Sequence, residues 1–149
     1  MIQVEPCQDA HVEPLAGMLA RAFRQDPLYE YVFPAEAARQ TLTAWDMGGI
    51  LRYGLRFGEV LTTPQLDGCA VWLPPGETNF TEERMAQVGM LDAAKHIGEE
   101  AEKRLDLFVA ASEMVHRRIL PGAHWYLVLL GVEPQCQAQG IGNALLAGT

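Results

Sequence analysis

Long apolar runs, cysteine and positive charge are all scarce in this sequence of 149 residues. No apolar run approaches the roughly 20 residues that a helix needs to cross a bilayer. The 11 basic residues are outnumbered by 19 acidic ones and form no cluster, and the net charge of −8 disfavours nucleic acid and anionic membranes as partners. An acidic surface is compatible with a cationic amine substrate, although solubility alone also explains such a charge.

The three cysteines are odd in number and widely spaced, at Cys7, Cys69 and Cys136. They form no CxxC pair, and they make no zinc-binding pattern with the four histidines, which are His11, His96, His116 and His124. We therefore expect a reducing, cytoplasmic setting and no metal site. The first residues have neither a basic segment nor a long apolar stretch, so we also expect no signal peptide.

The length and composition indicate a single globular domain over residues 1–149. Hydrophobic residues make up 49% of the chain and charged residues 20%, which is ordinary for a domain that buries a sizeable core. The sequence contains no internal repeat, no low-complexity segment and no linker that would separate two domains.

Periodicity predicts the elements of the first half. A short strand is expected over 2–5, and a helix over 12–23 that ends at Asp26-Pro27. The stretch 27–34 holds three aromatic residues between two prolines and is predicted to be a loop. A second helix is predicted over 35–57 with a weak point at Gly48-Gly49, and two strands follow over 59–62 and 69–73.

The second half alternates a long helical region with one very apolar strand. The pattern over 81–120 predicts two helices that meet near Ile97-Gly98. The stretch 124–132 is rich in aromatic and branched residues, which favours a strand buried on both faces and ended by Pro134.

The most informative segment begins at Val132 and runs to Leu146. It consists of the end of that strand, a polar loop with Gly140 and Gly142, and the start of an apolar-faced helix. Backbone N–H groups at a helix N-terminus have no partner within the helix and point towards one place, where an anion such as phosphate fits. Glycines let the backbone approach that anion closely.

Three families of phosphate-binding turn use this geometry. A P-loop needs a lysine followed by serine or threonine, and this turn has no lysine. A Rossmann fingerprint needs a third glycine, where this sequence has Leu145. The pattern Q/R-x-x-G-x-G/A is matched at every fixed position by Gln137, Gly140 and Gly142, and Val132, Pro134 and a leucine pair flank it at the usual spacing.

In these residues the sequence resembles the GNAT superfamily of N-acyltransferases. The order of elements upstream is similar to the amino-terminal part of that superfamily. The stretch 70–75 and the helical insert before Trp125-Tyr126 are similar to the sub-family that includes puromycin N-acetyltransferase. The resemblance implies an α/β (α+β) fold, with a mixed, largely antiparallel sheet flanked by helices and truncated after the pyrophosphate-binding turn.

The resemblance also implies acetyl-CoA as co-substrate and a set of binding residues. The backbone of Leu130 and Val132 would pair with the pantetheine arm. The pyrophosphate would lie on the N–H groups of the turn, from Gln137, Ala138, Gln139, Gly140 and Ile141 to Gly142 and Asn143. The acceptor, a small-molecule amine or a peptide, would contact Tyr29, Tyr31 and Phe33, with Trp72 as a possible pocket floor.

The sequence singles out no catalytic base. Glu133 and His124 lie next to the predicted strand, but a solvated turn residue and a surface histidine are the simpler interpretations. The hypothesis of an active N-acetyltransferase therefore has two alternatives, a non-catalytic acyl-CoA-binding module and an inactive truncated remnant. A nucleotide-binding protein that uses the same turn for ATP or a dinucleotide is a further alternative.

The chain stops at Thr149, before the remaining elements of the superfamily. We expect it to be part of a longer protein, and we expect its open sheet edge to pair with a second copy as a homodimer.

Overall fold

The computed structural model describes residues 1–148 and contains one antiparallel sheet flanked by helices. Its strands are β1 (Glu5–Pro6), β2 (Glu59–Thr62), β3 (Gly68–Leu73) and β4 (Tyr126–Val132). They lie in the order β1-β2-β3-β4, so each strand pairs with its neighbours in sequence and β4 forms an edge. The predicted fold class is therefore confirmed.

Seven helices surround the sheet in the described part of the chain. They are α1 (Val12–Ala22), α2 (Pro27–Val32), α3 (Glu36–Phe57), α4 (Glu82–Gln87), α5 (Ala94–Ile97), α6 (Glu99–Ile119) and α7 (Ile141–Ala147). None of these helices combines the length and the apolar character that crossing a membrane requires.

Two clusters of apolar side chains hold the helices to opposite faces of the sheet. The larger one joins α1 and α3 to one face and includes Leu19, Leu51, Val71 and Leu129. The smaller one joins α7 to the other face and is centred on Leu61, Ala70, Ile141 and Leu145. Strand β4 contributes to both clusters, so α1 and α7 fix its position from either side.

The prediction of a loop over 27–34 is wrong, because residues 27–32 form α2. Asp26 is the N-cap, and its side chain accepts a hydrogen bond of 2.9 Å from the Leu28 N–H. Pro27 occupies the first helical position, where its missing N–H costs nothing and its fixed φ suits a helix. Asp26 and Pro27 therefore begin α2, whereas α1 already ends at Ala22.

The weak point predicted at Gly48-Gly49 does not interrupt α3. Both glycines are buried, one beside Ala16 of α1 and the other beneath the side chain of Met90. Packing against neighbouring segments outweighs the poor helix propensity of glycine here.

The boundary predicted at Ile97-Gly98 is confirmed, because α5 ends at Ile97 and α6 begins at Glu99. Gly98 has φ = 90°, which glycine adopts without strain. The region 81–120 nevertheless contains three helices instead of two. The predicted strand over 2–5 is likewise reduced to β1, because only Glu5 and Pro6 pair with β2.

Strand β4 was predicted to be buried on both faces, and this is wrong. Only Leu129 and Gly131 are buried, and the other five residues are partly exposed. The reason is the position of β4 at the sheet edge, where solvent reaches the strand from the side that no strand of residues 1–148 covers.

Gly54 of α3 gives a direct test of how tightly helix and sheet pack. An added Cβ would lie 2.6 Å from Val71 Cγ1 and 2.7 Å from Val60 Cγ2, and both valines are buried. We expect Gly54→Ala to destabilise the fold by about 1–3 kcal/mol in urea unfolding. Helix propensity alone predicts the opposite sign, a gain of about 1 kcal/mol.

Gly48→Ala is the matched control in the same helix. The Cβ would meet the guanidinium at the far end of the Arg52 side chain at 3.3 Å and Ala16 Cβ at an ordinary 3.8 Å. This variant should keep or raise the stability. Equal effects of the two substitutions would contradict the packing described for α3.

Candidate functional site

The open edge of β4 presents the backbone groups of alternate residues. The Glu133 N–H donates a hydrogen bond of 2.8 Å to the Asp67 carbonyl oxygen, so residue 133 faces β3. In an antiparallel pair, alternate residues bond to the partner strand, and those between them point away from it. Leu129 and Gly131 therefore bond towards β3, whereas Leu130 and Val132 direct their N–H and C=O groups to the edge that no strand of residues 1–148 covers.

A β-bulge interrupts the β3–β4 ladder in the middle of this edge. Val71 pairs with Leu129 but Trp72 pairs with Leu127, so Val128 is an extra residue on β4. A bulge bends its strand and redirects local backbone groups. The sequence gives no sign of it, because the residues around Val128 are as apolar as the rest of the strand.

The turn after β4 is held by side chains at its start. The Arg21 guanidinium of α1 donates to both carboxylate oxygens of Glu133, with a shortest distance of 2.6 Å. The Gln137 side-chain amide donates to the Val132 carbonyl oxygen at 3.1 Å. These contacts tie both ends of the 3-10 turn Pro134–Cys136 to the end of the strand. Glu133 is thus part of an ion pair, which differs from the solvated residue expected from the sequence.

Gly140 turns the chain into α7. It lies at φ = 92° and ψ = 0°, a left-handed conformation, and it is the N-cap of the helix. Its carbonyl oxygen accepts the first helical bond, from the Ala144 N–H at 3.0 Å. Ala138 also has a positive φ, of 61°, which alanine adopts only where the surrounding structure imposes it.

The first turn of α7 leaves room for a ligand. The N–H groups of Ile141, Gly142 and Asn143 have no acceptor within the helix, as in any first turn. A Cβ on Gly142 would meet nothing nearer than Leu130 Cδ2, at 4.0 Å. Leu130 and Ile141 belong to the same apolar cluster, so the free edge and the turn form one continuous surface. A phosphate at the turn and an extended polar chain along β4 would bind to adjoining backbone groups.

The structure resembles that of an acetyltransferase. A solved structure from Corynebacterium glutamicum, described as histone acetyltransferase HPA2 and related acetyltransferase, matches with a TM-score of 0.57 and 19% sequence identity. The match covers 99% of this chain and 70% of the other. The fold is GNAT-like. No protein-family profile and no curated protein sequence matches the chain.

The predicted binding residues of the turn and strand come together, whereas the four predicted acceptor residues do not. Tyr29 and Phe33 are buried in the larger core cluster, with their rings stacked at 6.2 Å. Tyr31 is 51% exposed on α2, and the Arg104 guanidinium lies 5.5 Å from its ring. Trp72 packs on the opposite face of the sheet, with α7. Their roles in acceptor binding remain predictions.

Trp72 has one feature that suits a pocket floor. Its indole Nε1 is buried, and within residues 1–148 it has no hydrogen-bond partner. A buried donor without an acceptor is costly unless a ligand or water supplies one. The residue pairs with Leu127, beside the bulge, and therefore lies on β3, one strand away from the free edge.

A buried carboxyl group that the sequence analysis missed lies on α3. Asp46 is 6% exposed, and its Oδ2 accepts a hydrogen bond of 2.8 Å from the Tyr29 hydroxyl. Burial raises the pKa of Asp46 from its ordinary value of 3.8 to about 6, although the Tyr29 hydrogen bond opposes that shift. Position 46 lies on the helix face that continues buried Thr43, and this spacing is the signal that could have revealed it.

Asp46 should make the stability depend on pH. The folded chain holds this proton more tightly than the unfolded chain, so the contribution is complete below about pH 4 and is lost as the pH rises through 6. A shift of about two pKa units corresponds to about 3 kcal/mol. We expect Asp46→Asn, which keeps an acceptor for Tyr29, to be more stable than the parent at pH 8, with a much smaller difference at pH 4. A difference in unfolding free energy that is the same at both pH values would contradict this.

Proposed function

We propose that this chain binds acetyl-CoA along the free edge of β4 and transfers its acetyl group to a primary amine. The observation that carries the proposal is the continuity between outward-facing backbone groups on β4 and the glycine turn at its end. The GNAT-like fold supports it, because the match extends over nearly the whole chain.

The co-substrate would be held mainly by backbone groups. Its pantetheine arm is an extended chain with two amides, and it would pair with Leu130 and Val132 as an added strand does. The Val132 carbonyl already accepts a bond from Gln137, so the Val132 N–H and both groups of Leu130 are the ones available. The pyrophosphate would lie on N–H groups of the turn between Gln137 and Asn143, as at other helix N-termini.

The reaction would take place where the bulge interrupts β4. The arm runs from the turn towards Val128, so the thioester lies near the bulge and the amine approaches from the Tyr126 end. The amine nitrogen forms a bond to the thioester carbon, a backbone N–H stabilises the oxyanion, and the C–S bond then breaks. The amine loses its proton to a base, and the departing thiolate gains one.

Strand β4 carries no carboxylate or imidazole that could accept the proton, and this supports the second candidate function. None of the seven residues of β4 is acidic or a histidine. Glu133 is engaged by Arg21, and Asp46 is buried in the core. A non-catalytic acyl-CoA-binding module would need no base. Thiol release from acetyl-CoA that depends on an added amine distinguishes the enzyme from the module.

The charge of the chain supports a cationic acceptor, and its class is a separate question. The net charge of −8 favours the approach of a protonated amine. The solved neighbour is described as a histone acetyltransferase, which supports a peptide amine. The resemblance to the puromycin N-acetyltransferase sub-family, which would favour a small-molecule amine, stays a prediction from the sequence. A panel of acceptors should therefore include both classes.

Gly142→Asp gives the sharpest test of the binding site. It places a carboxylate where the pyrophosphate would lie, without steric conflict and in the first helical turn, where an acidic residue favours the fold. We expect calorimetry to show binding of acetyl-CoA and CoA to the parent and a loss of at least about tenfold in the variant, which corresponds to about 1.4 kcal/mol. Its unfolding free energy should not fall.

Gly122→Asp is the matched control, because it adds the same charge at an exposed turn with no atom within 4 Å of the new Cβ. It should bind CoA as the parent does. Failure of the parent to bind either ligand, or equal binding by the parent and Gly142→Asp, would contradict the proposal.

The free edge also supports pairing between two copies of this chain. Unpaired N–H and C=O groups on an edge strand are a template for another strand. Such a homodimer would use the groups proposed to bind CoA, so CoA should dissociate it. Sedimentation velocity of the same samples tests this, and a monomer in the absence of CoA would contradict it.

A further inference from the structure

Two of the four histidines meet at the start of β4. His116 lies in the last turn of α6, and His124 lies two residues before β4. Their Nε2 atoms are 2.6 Å apart, and the His116 ring packs at 4.3 Å from the Tyr126 ring. Both residues are only partly buried, so solvent reaches the pair.

The hydrogen bonds of His124 determine which nitrogen is free. Its Nδ1 lies 2.6 Å from the Gly122 carbonyl oxygen, which can only accept, so Nδ1 carries the proton. In the neutral ring Nε2 therefore presents a lone pair towards His116. A backbone carbonyl that fixes one ring nitrogen is the usual arrangement behind a histidine that binds a metal through the other.

We propose that His116 and His124 form a binding site for a divalent transition-metal ion of the Zn²⁺ class. The ion would bind both Nε2 atoms, and water would complete its coordination. The described residues include no group of three or more His, Cys, Asp or Glu that could hold a metal ion, so these two imidazoles are its protein ligands. The site shares no residue with the proposed acyl-CoA site, and it lies at the Tyr126 end of β4.

The geometry requires a small adjustment. Zinc–nitrogen bonds of about 2.0–2.1 Å at a tetrahedral angle place the two nitrogens about 3.3 Å apart. The present separation is 2.6 Å, and a rotation of either partly exposed ring provides the difference. Arg117 and Arg118 follow His116 and disfavour an ion held by charge alone, so the nitrogen ligands must supply the binding.

A bound ion would cross-link the end of α6 to the start of β4. The two ligands are separated by a short segment that contains Pro121-Gly122, so the ion would link the end of the helix to the start of the strand. Binding that favours the folded chain raises its melting temperature. The metal would therefore stabilise the connection that sets where β4 begins.

The other two histidines provide matched controls. His11 caps a turn near the N-terminus, where its Nδ1 accepts from the Gln8 N–H, and His96 stacks on Trp45 at 4.9 Å. We expect calorimetric titration with Zn²⁺ to show one equivalent bound by the parent chain. Affinity should fall at least about tenfold in His116→Gln and in His124→Gln, and should be unchanged in His11→Gln and His96→Gln. A Cys136→Ser background removes the one thiol that is partly exposed within residues 1–148.

A measurement on the parent chain tests the proposal even if a histidine variant fails to fold. Long-range ¹H–¹⁵N spectra of the histidine rings should show Zn²⁺ shifting the Nε2 signals of two histidines and leaving two unmoved. The proposal is overturned if Zn²⁺ does not bind, if the two paired histidines do not respond, or if substitution of His11 or His96 lowers the affinity equally. In each case the contact between the two Nε2 atoms would be a hydrogen bond alone and not part of a metal site.

Discussion

The hydrogen bond from the Glu133 N–H to the Asp67 carbonyl oxygen shows which residues of β4 bond to β3 and which point away from it. A shift of the pairing by one residue would exchange every side chain between the two faces of the sheet. Leu129 would leave the core beneath α1, and Leu130 would leave the cluster beneath α7. The same shift would turn the backbone groups of Leu130 and Val132 towards β3. Packing and binding geometry therefore depend on one register.

The Arg21–Glu133 ion pair joins α1 to the end of β4 and so helps to hold this register. As a partly exposed contact it contributes at most about 1 kcal/mol, so its importance is geometric. It fixes the residue at which the strand ends and the turn begins. From that point Gln137 and the left-handed Gly140 lead directly into α7, whose apolar side chains dock on the sheet. A short helix of this kind is marginal alone and is stabilised by that docking.

Local signals made the turn predictable from the sequence. Pro134, Gln137 and Gly140 determine backbone conformation within a few residues, and so does Gly98 at the start of α6. Helix α2 is not evident from the sequence, because proline stops one helix as readily as it starts another and Asp26 before it is compatible with both. The exposure of β4 could not be read from its composition, since it depends on where the strand lies in the sheet.

Features that depend on how the elements pack together had no local signal in the sequence. The bulge at Val128, the bond between Asp46 and Tyr29, and the contact of His116 with His124 all arise from tertiary packing. The positions of the predicted acceptor residues also depend on tertiary packing. Aromatic residues are typical both of cores and of binding pockets, and the structure places Tyr29 and Phe33 in the core.

Amide hydrogen exchange at four consecutive residues of β4 tests the central claim most directly. Without ligand, the N–H groups of Leu129 and Gly131 should be protected by β3, and those of Leu130 and Val132 should exchange faster. Saturating CoA should slow exchange at Leu130 and Val132 and leave the other two nearly unchanged. Unchanged exchange at Leu130 and Val132 in the CoA-bound chain would contradict the account, because the arm would then bind elsewhere.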